Sequence, residues 1–129
     1  MENKEINSLS PLVWAYLGDA VFELMVRAHL VRQGWQKLED LHRQTTALVN
    51  AGAQADLLQS LHGFLSVDEE DLVRRGRNMK SQVPKNISMG EYRLSTGFEA
   101  LLGYLYLSGK QERLAEIFAY LLEVRGHEK

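Results

Sequence analysis

The sequence has no cysteine, which excludes disulfides, thiolate metal sites and thiol nucleophiles together and suits a reducing compartment. Only two prolines and ten glycines occur in 129 residues, too few for a collagenous or low-complexity chain. No apolar run is long enough to span a membrane. The N-terminal Met-Glu-Asn-Lys-Glu is polar and mixed in charge, so neither a signal peptide nor a membrane partner is expected and a cytoplasmic location is. Basic charge is not in excess either. With 15 Lys and Arg against 17 Asp and Glu the net charge is -2, and a nucleic-acid partner has to be argued from local clustering. His29, His42, His62 and His127 are widely spaced, with no metal-ligand spacing among them, and read as surface or helix-packing residues. There is no phosphate-binding glycine loop, no nucleophile elbow and no internal repeat.

What is present is an ordinary globular composition, 45% hydrophobic and 25% charged. It predicts a single domain over 1–129 with its core at about 10–122 and no room for a separate RNA-binding module. Apolar residues recur at spacings of three and four with no sustained strand alternation, so the expected fold is all-α, one compact helical domain. Ser10-Pro11 is a helix start, a capping hydroxyl followed by proline at the first helical position. From there Val13, Leu17, Ala20, Val21, Leu24, Ala28 and Val31 form an apolar stripe that stops at Gly34, and Leu12, Ala15 and Tyr16 add a second apolar side. This reads as a central, buried helix. Leu38 to Val49 and Leu57 to Leu61 predict two helices or one kinked at Asn50-Ala51-Gly52. Ser66-Val67-Asp68-Glu69 and Ser88-Met89-Gly90-Glu91 have capping-box spacing. The second opens an apolar helix through Leu94, Phe98, Leu101, Leu102 and Leu105, in which Gly97 and Gly103 favour close helix packing. A last helix carries Leu114, Ile117, Phe118, Leu121 and Leu122 before Gly126.

Two carboxylates interrupt the apolar helices. Asp19 is the only charged side chain between Leu12 and Phe22, and Glu99 the only one between Leu94 and Gly109. At about 100° per residue, Asp19 turns toward Leu12 and Tyr16, and Glu99 toward Tyr92, Ser95, Gly103 and Tyr106. Each is expected in a partly buried groove between helices. Such carboxylates need a partner, and two brought together repel unless a cation lies between them. Hard oxygen ligands of this kind suit magnesium, calcium or manganese, and magnesium commonly takes one or two carboxylates and leaves room for a phosphate oxygen. The plainer alternative is that each is held by a tyrosine hydroxyl, by an arginine such as Arg27 or Arg93, or by a backbone donor.

Arg74, Arg75, Arg77, Lys80 and Lys85 fall in an acid-free stretch that overlaps an irregular segment from about Gly76 to Met89, with Asn78, Ser81, Gln82 and Asn86 as neutral donors. A basic loop of this kind can grip phosphates, although a solvated charge run remains open. No aromatic residue interleaves with it, which favours a duplex over a stacked single strand.

Tyr16-Leu17-Gly18-Asp19-Ala20-Val21 resembles the signature of the ribonuclease III catalytic domain, and Phe98-Glu99-Ala100-Leu101-Leu102-Gly103 resembles its second acidic motif. Arg75-Gly76-Arg77-Asn78-Met79-Lys80 with Val83-Pro84-Lys85-Asn86 is similar to a loop of the catalytic-domain-only branch of that family, the Mini-ribonuclease III subfamily. The resemblance spans roughly residues 10–122. It implies an all-helical endoribonuclease that cuts double-stranded RNA as a homodimer and leaves 5′-phosphate ends. Its substrate would be the precursor of large-subunit (23S) ribosomal RNA. Asp19 and Glu99 would be the catalytic ligands of Mg2+, with Mn2+ able to substitute, and Arg74, Arg75, Arg77, Asn78, Lys80 and Lys85 would contact RNA. Two further acidic positions of the full-length pattern hold Ala15 and Thr96 here. That departure leaves open a catalytically idle helical dimer that binds ribosomal RNA or protein, or a plain helical interaction module.

Overall fold

Ser10 and Pro11 start the longest helix as their order predicts: the Ser10 hydroxyl accepts the Leu12 N–H at 3.2 Å and proline occupies the first turn. The computed structural model describes residues 1–127, the side chain of His127 excepted, and the expectation for that histidine lies outside the described residues. The helices are α1 (Asn3–Asn7), α2 (Pro11–Arg32), α3 (Leu38–Val49), α4 (Ala51–Ser60), α5 (Val67–Arg77), α6 (Met89–Leu107) and α7 (Gln111–His127), with no strand among the described residues. The all-α expectation holds. Gly34 and Gly109, with φ of +99° and +75°, take the left-handed conformation that ends α2 and α6. The break at Asn50 makes two helices rather than a kink, because its side chain accepts the Ala53 N–H at 2.9 Å and restarts the chain as α4.

At α5 the capping box is complete, with Glu69 N–H to Ser66 Oγ at 3.1 Å and Ser66 N–H to Glu69 Oε1 at 2.9 Å. At α6 only half of it forms. Ser88 accepts the Glu91 N–H at 3.1 Å, but the Glu91 carboxylate meets the Ser88 hydroxyl instead of its backbone N–H. The short α1 had no periodicity to announce it and is anchored by tertiary contacts, with Ile6 fully buried and its carbonyl accepting the Trp14 indole N–H at 2.9 Å. The last helix runs through Gly126 instead of stopping before it.

Helices α2 and α6 form the central pair, against which α4, α5 and α3 pack. Trp14, Phe22, Val26, Phe98, Leu101, Leu102 and Leu105 fill the interior, with the Phe22 and Phe98 rings edge-to-face at 5.0 Å. The core side of α2 differs from the expected stripe. Of its seven residues only Val21 is buried, while Val13, Ala20, Leu24 and Val31 are exposed; the buried side is Trp14, Ala15, Gly18, Val21, Phe22, Val26 and Leu30. A helix apolar on most sides does not reveal by period which side turns inward. A glycine contact with α6 decides it.

Candidate active site

The two carboxylates meet because two glycines let the helices that carry them touch. A Cβ placed on Gly18 would sit 1.7 Å from the Glu99 carbonyl oxygen, and one on Gly103 would sit 1.8 Å from the carbonyl oxygen of Trp14. No side chain fits between these backbones, so α2 and α6 cross in direct contact. Asp19 follows one of these glycines, and Glu99 lies one helical turn before the other. Gly97 serves another neighbour, since a Cβ there would meet the Val73 carbonyl oxygen of α5 at 2.7 Å.

Leu12, Ala15, Tyr16, Leu17, Asp19, Ala20, Tyr92, Thr96 and Glu99 line a groove of about 570 Å³ along this crossing. Glu99 is half-buried at its base, as expected. Asp19 is not: it is exposed at the rim, because its part of α2 faces away from the core. Asp19 lies close enough to act on Glu99, whose pKa is pushed up to about 8 by burial first and then by the Asp19 carboxylate and its negative charge. In the metal-free protein Glu99 therefore keeps its proton to higher pH than an ordinary glutamate.

The arginine version of the plainer alternative is not what the described residues show. Arg27 pairs with Glu23 at 2.7 Å, and among the described residues neither Asp19 nor Glu99 has a cationic partner. Ala15 and Thr96 do line the groove, beside the pair, and neither supplies a carboxylate; the Thr96 hydroxyl donates to the Tyr92 carbonyl at 2.9 Å. Accordingly no group of three or more His, Cys, Asp or Glu side chains that could hold an ion occurs among the described residues. A larger hollow of about 790 Å³ lies between α4 and the end of α7, lined by Asp56, Glu91 and Arg125 among others, and shares no lining residue with the carboxylate groove.

Gln54 is the residue that the sequence reading missed. It is 1% exposed on α4, and its amide lies beside Glu99. Periodicity could have found it only as a polar residue among Ala53, Ala55, Leu57 and Leu58.

The basic cluster divides in two. Arg74, Arg75 and Arg77 belong to the last turns of α5, with Asn78 as its C-cap, and only Lys80 and Lys85 lie in the irregular segment. The expected loop thus begins at Asn78, because the capping box and Leu72 and Val73 carry the helix that far. Arg74 pairs with Asp71, one turn back. Arg75 is half-buried, with its guanidinium 4.9 Å from the centre of the Trp14 ring, a packing role that the charge pattern could not reveal. Arg77, Asn78, Lys80 and Lys85 are exposed. Of the other histidines, His29 packs on Phe118 at 5.8 Å and His42 and His62 are exposed, as expected.

Comparison with known proteins identifies the family and supports the fold. The ribonuclease III domain pattern matches residues 12–110. The chain is 50% identical over 118 residues to a Mini-ribonuclease 3 of Thermoanaerobacter, covering 91% of this chain and 83% of that one. It is 40% identical over 126 residues to the Mini-ribonuclease 3 of Enterococcus faecalis, covering 95% and 96%. A crystal structure of a Fusobacterium nucleatum protein superposes with a TM-score of 0.85 at 27% identity, covering 95% of this chain and 99% of that one.

Proposed function

Since the chain belongs to the ribonuclease III family, we propose that it is an endoribonuclease that cuts double-stranded RNA with a divalent cation held by Asp19 and Glu99. The observation that carries this reading is the pair itself: two carboxyl groups brought together beside a side-chain-free helix crossing, in an open groove, with no cation among the described residues paired to them. The donor set fits magnesium, which commonly takes one or two carboxylates and keeps waters and a phosphate oxygen; manganese can substitute. When bound, such an ion polarises the scissile phosphate and lowers the pKa of an attacking water. The chain's own residues do the rest. Asp19 at the rim meets the incoming phosphate, Glu99 at the base fixes the depth of the site, and Tyr16 and Tyr92 form parts of its walls.

Arg77, Asn78, Lys80 and Lys85 hold flanking phosphates, with Arg74 contributing when it leaves Asp71, whereas Arg75 acts chiefly by bracing Trp14. Replacing Arg77, Lys80 and Lys85 with alanine together should lower the slope of log affinity against log salt by roughly two to three, about one per lost phosphate contact. Arg75→Ala should instead lower the melting temperature, with a loss on the order of 1–2 kcal/mol. Filter binding over a salt series and thermal melts separate the two.

The working form is a homodimer. Tyr16, Leu24 and Val31 on the outer side of α2 are 84%, 68% and 60% exposed, large apolar side chains continuous with the groove at Tyr16. Two copies joined there present two carboxylate pairs to the two strands of one duplex. The reading extends to 5′-phosphate products, to the precursor of large-subunit ribosomal RNA as substrate, to one domain that both binds and cuts, and to the cytoplasm as its location. No described helix is long and apolar enough to cross a membrane.

Incubation with an end-labelled RNA duplex tests the proposal. Cutting in magnesium that excess chelator stops supports it; salt-dependent binding without product in any divalent ion would leave the idle RNA-binding dimer. The pH dependence is a further prediction. With the Glu99 pKa raised from 4.5 to about 8, the folded state keeps a proton that the unfolded state loses. This group's stabilisation is therefore complete below pH 4.5 and lost as pH rises through about 8. Magnesium should displace that proton, so the rise in melting temperature on adding magnesium should be larger at pH 8.5 than at pH 6. A rise independent of pH would show that the ion does not compete with the Glu99 proton.

A further inference from the structure

We propose that Gln54 is a positioning residue of the carboxylate site, its side-chain amide donating to Glu99 and holding that carboxylate toward Asp19 for the ion, an inference that rests on reading Asp19 and Glu99 as the ion-binding pair. Gln54 lies in the second turn of α4, after the Asn50 cap, and α4 packs on α6 where Glu99 stands. It is 1% exposed, and its Nε2 is the one buried side-chain nitrogen or oxygen without a hydrogen-bond partner among the described residues.

A buried amide donor left unpaired weakens the fold, a cost that leucine at the same position would avoid. The neighbour of that amide is Glu99, although their approach in this state falls short of a hydrogen bond of ordinary geometry. An ionised carboxylate accepts only, and it needs donors on the oxygens that the ion does not take. The Ser95 and Thr96 hydroxyls, one turn before Glu99 on α6, are committed to the Tyr92 carbonyl, at 2.8 and 2.9 Å. Gln54, buried with its Nε2 uncommitted, is a donor available to the Glu99 oxygen that an ion does not take. The unpaired Nε2 is then the metal-free half of a contact that ion binding completes.

The test uses Gln54→Leu and the unbranched Gln54→Met in the full chain, with Mn2+ as the probe, its free concentration read by electron paramagnetic resonance without RNA. Thermal melts are taken in chelator. Both variants should melt at or above the wild-type temperature and bind Mn2+ roughly tenfold more weakly. The magnesium concentration that half-saturates duplex cleavage should rise in parallel. Wild-type Mn2+ affinity in either folded variant would overturn the proposal, as would a lowered melting temperature with unchanged affinity, which marks a purely structural amide. If wild type takes up no Mn2+, or Asp19→Asn takes it up equally, the ion-binding pair itself is wrong and the Gln54 role falls with it. Asp19-dependent uptake that ignores Gln54 removes this role alone.

Discussion

Asp19→Asn should slow magnesium-dependent cleavage of an RNA duplex about a thousandfold or more, and it should leave the metal-free protein as stable as wild type or more so. The two effects have one cause. Among the described residues Asp19 and Glu99 are the only carboxylates lining the groove, since Ala15 and Thr96 occupy the neighbouring positions on it. Neutralising one therefore halves the charge available to an ion, and no third acidic or histidine ligand stands beside the pair among the described residues. The same change removes the negative charge that Glu99 faces, so above about pH 8, where Glu99 ionises in the metal-free protein, the fold loses a repulsion and not a support. Single-turnover cleavage and a melt in chelator check both halves. Activity within tenfold of wild type would end the metal-ligand assignment. A strongly lowered melting temperature would mean that Asp19 holds the fold together.

Gly18→Ala and Gly103→Ala should each destabilise the protein by about 3 kcal/mol or more, and whatever folds should have lost most of its activity. In each case the added methyl would overlap a backbone carbonyl of the facing helix, at 1.7 Å from Glu99 and at 1.8 Å from Trp14. Backbone cannot rotate aside as a flexible side chain can, so α2 and α6 must move apart, and the carboxylate pair separates with them. Gly90→Ala is the matched control on α6, because a Cβ there meets nothing within 4 Å; it should change stability by no more than a few tenths of a kcal/mol or raise it slightly. Denaturant melts of the three variants check the ordering. A Gly18→Ala protein as stable and active as wild type would show that the crossing tolerates separation.

Much of the site could be read before folding because its chemistry conflicts with its surroundings. Asp19 and Glu99 are conspicuous as the lone charges in apolar helices, and the capping signals of Ser10, Ser66 and Ser88 place the helix starts. Gln54 was hidden by the opposite circumstance. A neutral amide in a mixed sequence carries no conflict, and it matters only because α4 brings it beside Glu99. Arg75 misled for a related reason: its charge counts equally in any composition, but its guanidinium lies on the Trp14 ring.

The sequence by itself determined the helical nature of the six longer elements, the capped starts of α2, α5 and α6, the two acidic positions and the family, because capping, periodicity and motif spacing act within a few residues along the chain. Only the tertiary structure decided which side of α2 faces inward. The apolar stripe through Val13, Leu24 and Val31 has the regular spacing of a core face, yet it is exposed, while Trp14, Gly18, Phe22 and Val26 pack inward. Hydrophobicity is non-directional and could not choose between two apolar sides of one helix. The steric contact of Gly18 with the Glu99 backbone and of Gly103 with Trp14 could, since it allows one orientation of the pair, and that orientation also brings the carboxylates together.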